Sequence, residues 1–278
     1  MTTWRSDAPP PVAAIPLWAW PIALLRGVLL FGVTLGGLTL LLALRLVERP
    51  LAGQNRPVTP YITQSVCQTA FWIMGIGYKV RGAPMKHMGA LVANHGSWLD
   101  IFALNACQRV YFVSKAEVAN WPLIGWLARA TGTVFIERDP RRAKAQTLLF
   151  EARIHAGHKL LFFPEGTSTD TRRVLPFKST LFAAFQSDDL RDVMQIQPVS
   201  VIYQAPKGAS LSFYGWWGDM QLGPHMVRVW GKIRQGTITL VFHDPVAVAG
   251  FATRKELASH CETVIRESLD HALGATPD

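Results

Sequence analysis

Apolar residues follow three successive patterns along this chain. From Gly27 to Leu44 they form one uncharged run, close to the shortest length that crosses a bilayer as a helix. Leu17 to Leu25 extends that run upstream, interrupted by Pro21 and Arg26. A second apolar stretch, Tyr61 to Tyr78, is broken by Thr63, Gln64, Ser65, Gln68 and Thr69. It predicts a helix packed on a domain or lying in a membrane interface. Between the two stretches, Pro50, Gly53, Asn55, Pro57 and Pro60 mark a boundary, so residues 1–60 read as anchor and linker and 61–278 as a folded domain.

From residue 79 onward the pattern alternates. Short apolar runs predict strands at Gly89–Ala93, Arg109–Val113, Gly132–Ile136, Lys159–Phe163, Ile196–Tyr203 and Thr237–Phe242. Helical periodicity occupies Ser97–Ala106, Leu123–Ala130, Arg141–Ala156, Thr180–Phe185 and Arg254–Leu273. Strands separated by helices predict an α/β sandwich with a mostly parallel sheet.

Composition sharpens the choice of surroundings. A formal charge of +9 points to acidic company, while 49% hydrophobic and 17% charged residues favour lipid over nucleic acid. The basic residues are scattered, without the Lys/Arg block of a nucleic-acid arm. Trp18 and Trp20 stand where an interfacial aromatic belt lies, and Arg45, Arg49 and Arg56 follow the apolar run, which orients the later domain to the cytoplasm. A cleaved signal peptide or a buried core helix has similar composition, but the run is long and no small-x-small site follows it. Pro21, Arg26 and the glycines at 27, 32, 36 and 37 leave a re-entrant hairpin open as well as a single span. Cys67, Cys107 and Cys261 are widely spaced and lack a CxxC pattern, as reduced thiols outside any zinc site would be.

Two fragments carry chemistry. In Asn94-His95-Gly96-Ser97-Trp98-Leu99-Asp100 a histidine stands five residues before an aspartate. Mid-helix, residues five apart point about 140° away from each other. They meet only if His95 lies on a strand-to-helix turn and Asp100 in the first helical turn, where it can take the Nδ1 hydrogen and leave Nε2 free as a base. A helix-capping aspartate beside a surface histidine is the plainer reading. Phe163-Pro164-Glu165-Gly166-Thr167 follows the Lys159–Phe163 strand; it is either an ordinary turn or a set of backbone donors for an oxyanion. Between them, Arg138 follows Gly132–Glu137 and offers a cation for a phosphate or carboxylate, or else a partner for Glu137 or Asp139.

These blocks together resemble the glycerolipid acyltransferase family typified by lysophosphatidic acid acyltransferase. Asn94–Asp100, Gly132–Arg138, Phe163–Thr167 and Pro198-Val199 match its four blocks in order, over roughly residues 80–245, and Leu175-Pro176-Phe177-Lys178 matches as well. The resemblance implies a glycerolipid acyltransferase-like αβ sandwich behind one or more N-terminal membrane helices. It implies that His95 deprotonates an acceptor hydroxyl, that Asp100 orients it, and that amides near Gly166 steady the oxyanion. It places Glu165, Gly166, Thr167 and Arg138 at the acceptor, with Lys115 and Lys178 as weaker candidates. Acyl-carrier protein or coenzyme A would bring the acyl group as a thioester, with no further cofactor or metal. Lysolipid and membrane would be the other partners, at a bacterial inner membrane with the site facing the cytoplasm.

One departure bears on the acceptor. Where members acting on lysophosphatidic acid often carry arginine after Phe-Pro-Glu-Gly-Thr, this chain has Ser168-Thr169-Asp170, with Arg172 and Arg173 displaced. A carboxylate there suits an ammonium better than a phosphate dianion. Phe163 to Lys178 and Trp216-Trp217-Gly218-Asp219 look more like the bacterial lyso-ornithine lipid branch. Phosphate acceptors stay open through Arg172 or Arg173. A lipid-binding scaffold and a thioester hydrolase are the competing readings.

Overall fold

A computed structural model describes residues 4–6, 15–137 and 139–274. The chain begins with helices α1 (Ala19–Ala52) and α2 (Thr59–Met74), then strands β1 (Gly77–Arg81) and β2 (Gly89–Ala93). Next come α3 (Leu99–Cys107), β3 (Tyr111–Lys115), α4 (Ile124–Thr131), β4 (Val134–Ile136), α5 (Ala143–His155) and β5 (Leu160–Phe162). The remainder is α6 (Asp188–Arg191), β6 (Gln195–Gln204), α7 (Leu222–Gly231), β7 (Thr237–Phe242), β8 (Val246–Ala247) and α8 (Arg254–Gly274).

The sheet runs β1-β7-β6-β2-β5-β3-β4, with β8 beside β6. Pairings of β6 with β7 and β8 are antiparallel and the others are parallel, so the expected mostly parallel α/β sheet is what forms. Alternation along β2 feeds two cores. Leu91 and Ala93 join the core under α2, α3 and α7; Ala90 and Val92 join the one under α5 and α8. Being wholly buried on both faces, β2 can only be a central strand.

Several elements differ from the sequence expectation. β3 begins two residues later than Arg109, and Ser179–Gln186 is a 3₁₀ helix rather than the α-helix expected over Thr180–Phe185. The Tyr61–Tyr78 stretch divides: Gly75 adopts φ 71° and stops α2, and the chain re-enters as β1 alongside β7. Helix α7 was hidden by Gly223-Pro224, yet a proline in the first turn has no intrahelical N–H bond to lose.

Helix α1 runs unbroken through Pro21 and the four glycines, so the hairpin left open within it does not form. It is long and apolar enough to cross a membrane, with only 11% of its most apolar window buried. Its inner stripe nonetheless docks along the domain. Arg26 beside Gly75, Gly37 beside Val66 and Glu48 bonded to Thr59 step down α1 while stepping up α2, an antiparallel pair. A Cβ at Gly37 would stand 2.3 Å from Val66 Cγ2, so glycine is what permits this crossing. Four polar residues of these two helices are caps. Arg26 donates to the carbonyls of Trp230 (2.8 Å) and Lys232 (2.6 Å) at the end of α7. Glu48 accepts the N–H groups of Val58 and Thr59 at the start of α2. Gln64 and Gln68 donate to Cys107 and Ala106 carbonyls at the end of α3. Each satisfies helix-end groups that have no partner within their own helix.

Candidate active site

Strands β2 and β5 are parallel neighbours, so the turns that leave their carboxyl ends emerge side by side, where open α/β sheets bind ligands. The side chain of Asn94 continues the ladder past β2: its Nδ2 donates to Val201 O (3.0 Å) and its Oδ1 accepts Val201 N–H (2.7 Å). His95 then sits on the turn and Asp100 in the first turn of α3, the one placement that lets them meet. His95 Nδ1 lies 2.7 Å from Asp100 Oδ2, which also accepts the N–H groups of Gly96 (2.9 Å) and Ser97 (3.0 Å). The Tyr203 hydroxyl donates to the other oxygen, Oδ1. Burial first, and then the Asp100 charge, hold Tyr203 well above the ordinary phenol range, so it stays a neutral donor. With three other donors already on this wholly buried carboxylate, Nδ1 carries a hydrogen and Nε2 is left with its lone pair. The ring is stacked on Phe163 at 4.1 Å between centroids, and its side chain keeps 18% exposure.

The turn after β5 is tied to the first turn through the main chain. Glu165 Oε1 accepts His95 N–H at 2.7 Å and Oε2 accepts Leu175 N–H at 2.8 Å, with 2% of the residue exposed. Burial raises its carboxyl to about 8, against the opposing pull of these two amides. Each oxygen thus holds one loop amide, and Glu165 clasps the two loops. Thr169 N–H and hydroxyl both reach His95 O, and Trp216 N–H reaches Gly96 O at 2.9 Å. Gly166, at φ 71°, donates its N–H to Phe163 O, closing the turn. The next amides, Thr167 and Ser168, have no acceptor among the described residues.

The other candidates lie on the same loop or on a neighbouring strand. Lys115 ends β3, beside β5, and Lys178 closes the second loop by donating its backbone N–H to Pro164 O (3.0 Å). Arg138 lies outside the described residues. Asp170, expected to face an ammonium, instead accepts Arg172 N–H and pairs with Arg173 (Nη2 to Oδ2, 3.0 Å). Sequence reasoning missed Tyr203, which is 103 residues from its partner. It also missed His225, whose Nδ1 accepts from Trp98 Nε1 at 2.9 Å and which burial pushes down to about 4, keeping it neutral. Cys107 lies at the far end of α3 and burial raises its thiol, so it offers no thiolate to the site. No group of three His, Cys, Asp or Glu side chains that could hold a metal ion occurs among the described residues.

Known proteins resemble this chain in sequence and in fold. A family model described as Acyltransferase matches residues 78–202. A lyso-ornithine lipid O-acyltransferase of Rhodobacter capsulatus is 58% identical over 96% of both chains. One of Brucella abortus is 38% identical over 71% of this chain and 78% of its own. In fold, the crystal structure of the 1-acyl-sn-glycerophosphate acyltransferase of Thermotoga maritima matches with a TM-score of 0.57 at 22% identity, covering 91% of this chain and 99% of that one.

Proposed function

This chain belongs to the acyltransferase family, and from that premise we propose that it moves a fatty acyl group from the thioester of acyl-carrier protein or coenzyme A to the hydroxyl of lyso-ornithine lipid. The observation that carries the chemistry is the 2.7 Å contact of His95 Nδ1 with a buried Asp100, which leaves Nε2 as the base. Nε2 takes the acceptor proton as the hydroxyl oxygen attacks the thioester carbonyl. We assign the resulting oxyanion to the amides of Thr167 and Ser168, which follow Gly166 and have no acceptor among the described residues. As the C–S bond breaks, the thiolate leaves with the proton from His95, giving ester and thiol. The transfer is direct in this reading: Ser97 is wholly buried and Cys107 lies at the far end of α3, so neither is offered to the substrate as a covalent nucleophile. The acceptor identity is supported by the relatives' names and by the extent of the match. The exposed apolar flank of α1, including Leu24, Leu25, Val28 and Phe31, supports a membrane site. We place it at a bacterial inner membrane with the catalytic edge toward the cytoplasm, where thioester donors are made and where Arg45, Arg49 and Arg56 would stand.

The test is transfer of labelled acyl groups from each thioester to lyso-ornithine lipid by membranes carrying the full chain. His95→Ala should lower the rate by about 10²–10⁴ without changing lipid binding. Absence of transfer by the wild type would overturn the reading in favour of a scaffold. Equal thioester loss with and without acceptor would overturn it in favour of a hydrolase.

A further inference from the structure

Residues 4–6 fold back onto the catalytic edge. The Trp4 N–H reaches Thr167 Oγ1 at 3.3 Å, within the turn that follows β5. Its indole lies under the Arg173 guanidinium, 5.0 Å from the ring centroid, and against Trp217, 6.3 Å between centroids. The next residue, Arg5, pairs with Asp219 at 3.3 Å. These two residues thus join segments that are remote in sequence, Asp170–Arg173 and Trp217–Asp219. Both segments grow from the backbone that holds the base: Thr169 bonds to His95 O and Trp216 to Gly96 O. A Cβ at Gly215 would lie 2.9 Å from the Asp170 backbone, so the two segments touch.

The charges alternate. Asp170, almost fully buried, neutralises Arg173 from the protein side, while the Arg173 side chain is 48% exposed and that of Asp219 81%. Arg173 and Arg5 are each paired with a carboxylate, Asp170 and Asp219, and Arg172 adds one further cation to the segment. A phosphate monoester, carrying up to two negative charges, finds two of the three cations already paired with carboxylates and meets the exposed Asp219 carboxylate. A head group with one carboxylate and one ammonium finds a guanidinium and a carboxylate of opposite signs, on an aromatic floor suited to its methylene chain. Specificity of this kind arises from rejection as much as from attraction.

We propose that Trp4 and Arg5, with Asp170, Arg173, Trp217 and Asp219, form a wall of paired opposite charges beside His95 that selects zwitterionic amino-acid head groups over phosphate monoesters. This rests on the acyl-transfer reading above and assigns its acceptor selectivity to a surface that includes the start of the chain. Trp4 and Asp219 act as specificity-determining residues and do not touch the reacting atoms.

The experiment compares kcat/KM for lyso-ornithine lipid and lysophosphatidic acid, in wild type, Trp4→Ala and Asp219→Asn. Each variant should shift the ratio toward lysophosphatidic acid by about fivefold, mainly through KM, with kcat on lyso-ornithine lipid within about twofold of wild type. Because Asp219 is exposed, Asp219→Asn tests the wall even if Trp4→Ala proves unstable. Ratios unchanged in folded variants would overturn the wall and leave the proposed function standing. Failure of the wild type to acylate lyso-ornithine lipid would overturn the function itself, and the wall with it.

Discussion

The two turns at the catalytic edge each bury one carboxylate, and they use it in opposite ways. After β2, Asp100 gathers two side chains and two amides onto one group, with the His95 ring among them. After β5, Glu165 accepts only from main chain, one amide from each of two loops. The first arrangement fixes a tautomer and a ring direction. The second fixes the distance between loops. Burying a carboxylate is costly unless its oxygens are satisfied, and both are, so the difference lies in which part of the site each one controls.

The largest expected effect comes from Asp100→Asn. An amide in place of the carboxylate removes the negative charge that stabilises the imidazolium formed when Nε2 takes its proton, so kcat should fall by roughly 10³–10⁴ while the melting temperature moves little by comparison. A kcat loss of only a few-fold would make Asp100 a helix cap and erase the contrast with Glu165. Glu165→Gln should separate the two in the other direction. Its NH₂ group must face an amide donor, which should cost about 1–3 kcal/mol in chemical unfolding, with a smaller loss of turnover than Asp100→Asn gives.

The pH dependence sharpens this further. Glu165 has a folded pKa near 8, above the ordinary value of 4.5, so the folded state holds a proton that the unfolded state releases. Its stabilising contribution is complete below 4.5 and is lost as pH rises through 8. Unfolding midpoints measured across that range should decline for the wild type, and the decline should be shallower for Glu165→Gln. Tyr203→Phe removes one of four donors to Asp100. We expect a loss of about tenfold or less in kcat, with KM unchanged, since this hydroxyl acts only through the carboxylate. Phe163→Leu should be the mildest change, about two- to fivefold in kcat from a less firmly stacked imidazole, measured at saturating acceptor.

What the sequence revealed follows from how local each interaction is. The His95–Asp100 geometry could be argued from a five-residue spacing and one turn, and the buried strands β2 and β5 from short apolar runs. The Asp170–Arg173 pair is also local, three residues apart, and its spacing was available as a signal that this carboxylate would be occupied. Tyr203, and the bond of Glu165 to the His95 amide, depend on strand order, which no short window encodes. The same holds for Gln64, Gln68, Arg26 and Glu48. In the hydrophobicity pattern Arg26, Gln64 and Gln68 read only as interruptions of apolar segments, because the helix ends they cap lie elsewhere in the chain.

Those caps bear on how the enzyme can be handled. Arg26 holds the last carbonyls of α7, the helix that follows the Trp217–Asp219 segment, and Glu48 holds the first amides of α2, which packs on α3 and so behind Asp100. Cutting the chain near residue 60 to obtain a water-soluble catalytic fragment would strip both helix ends of their partners and bare the apolar flank of α2. The greasy leader is thus part of the scaffold of the reaction centre, and purification is better served by keeping it and supplying a detergent or nanodisc to cover its outer face.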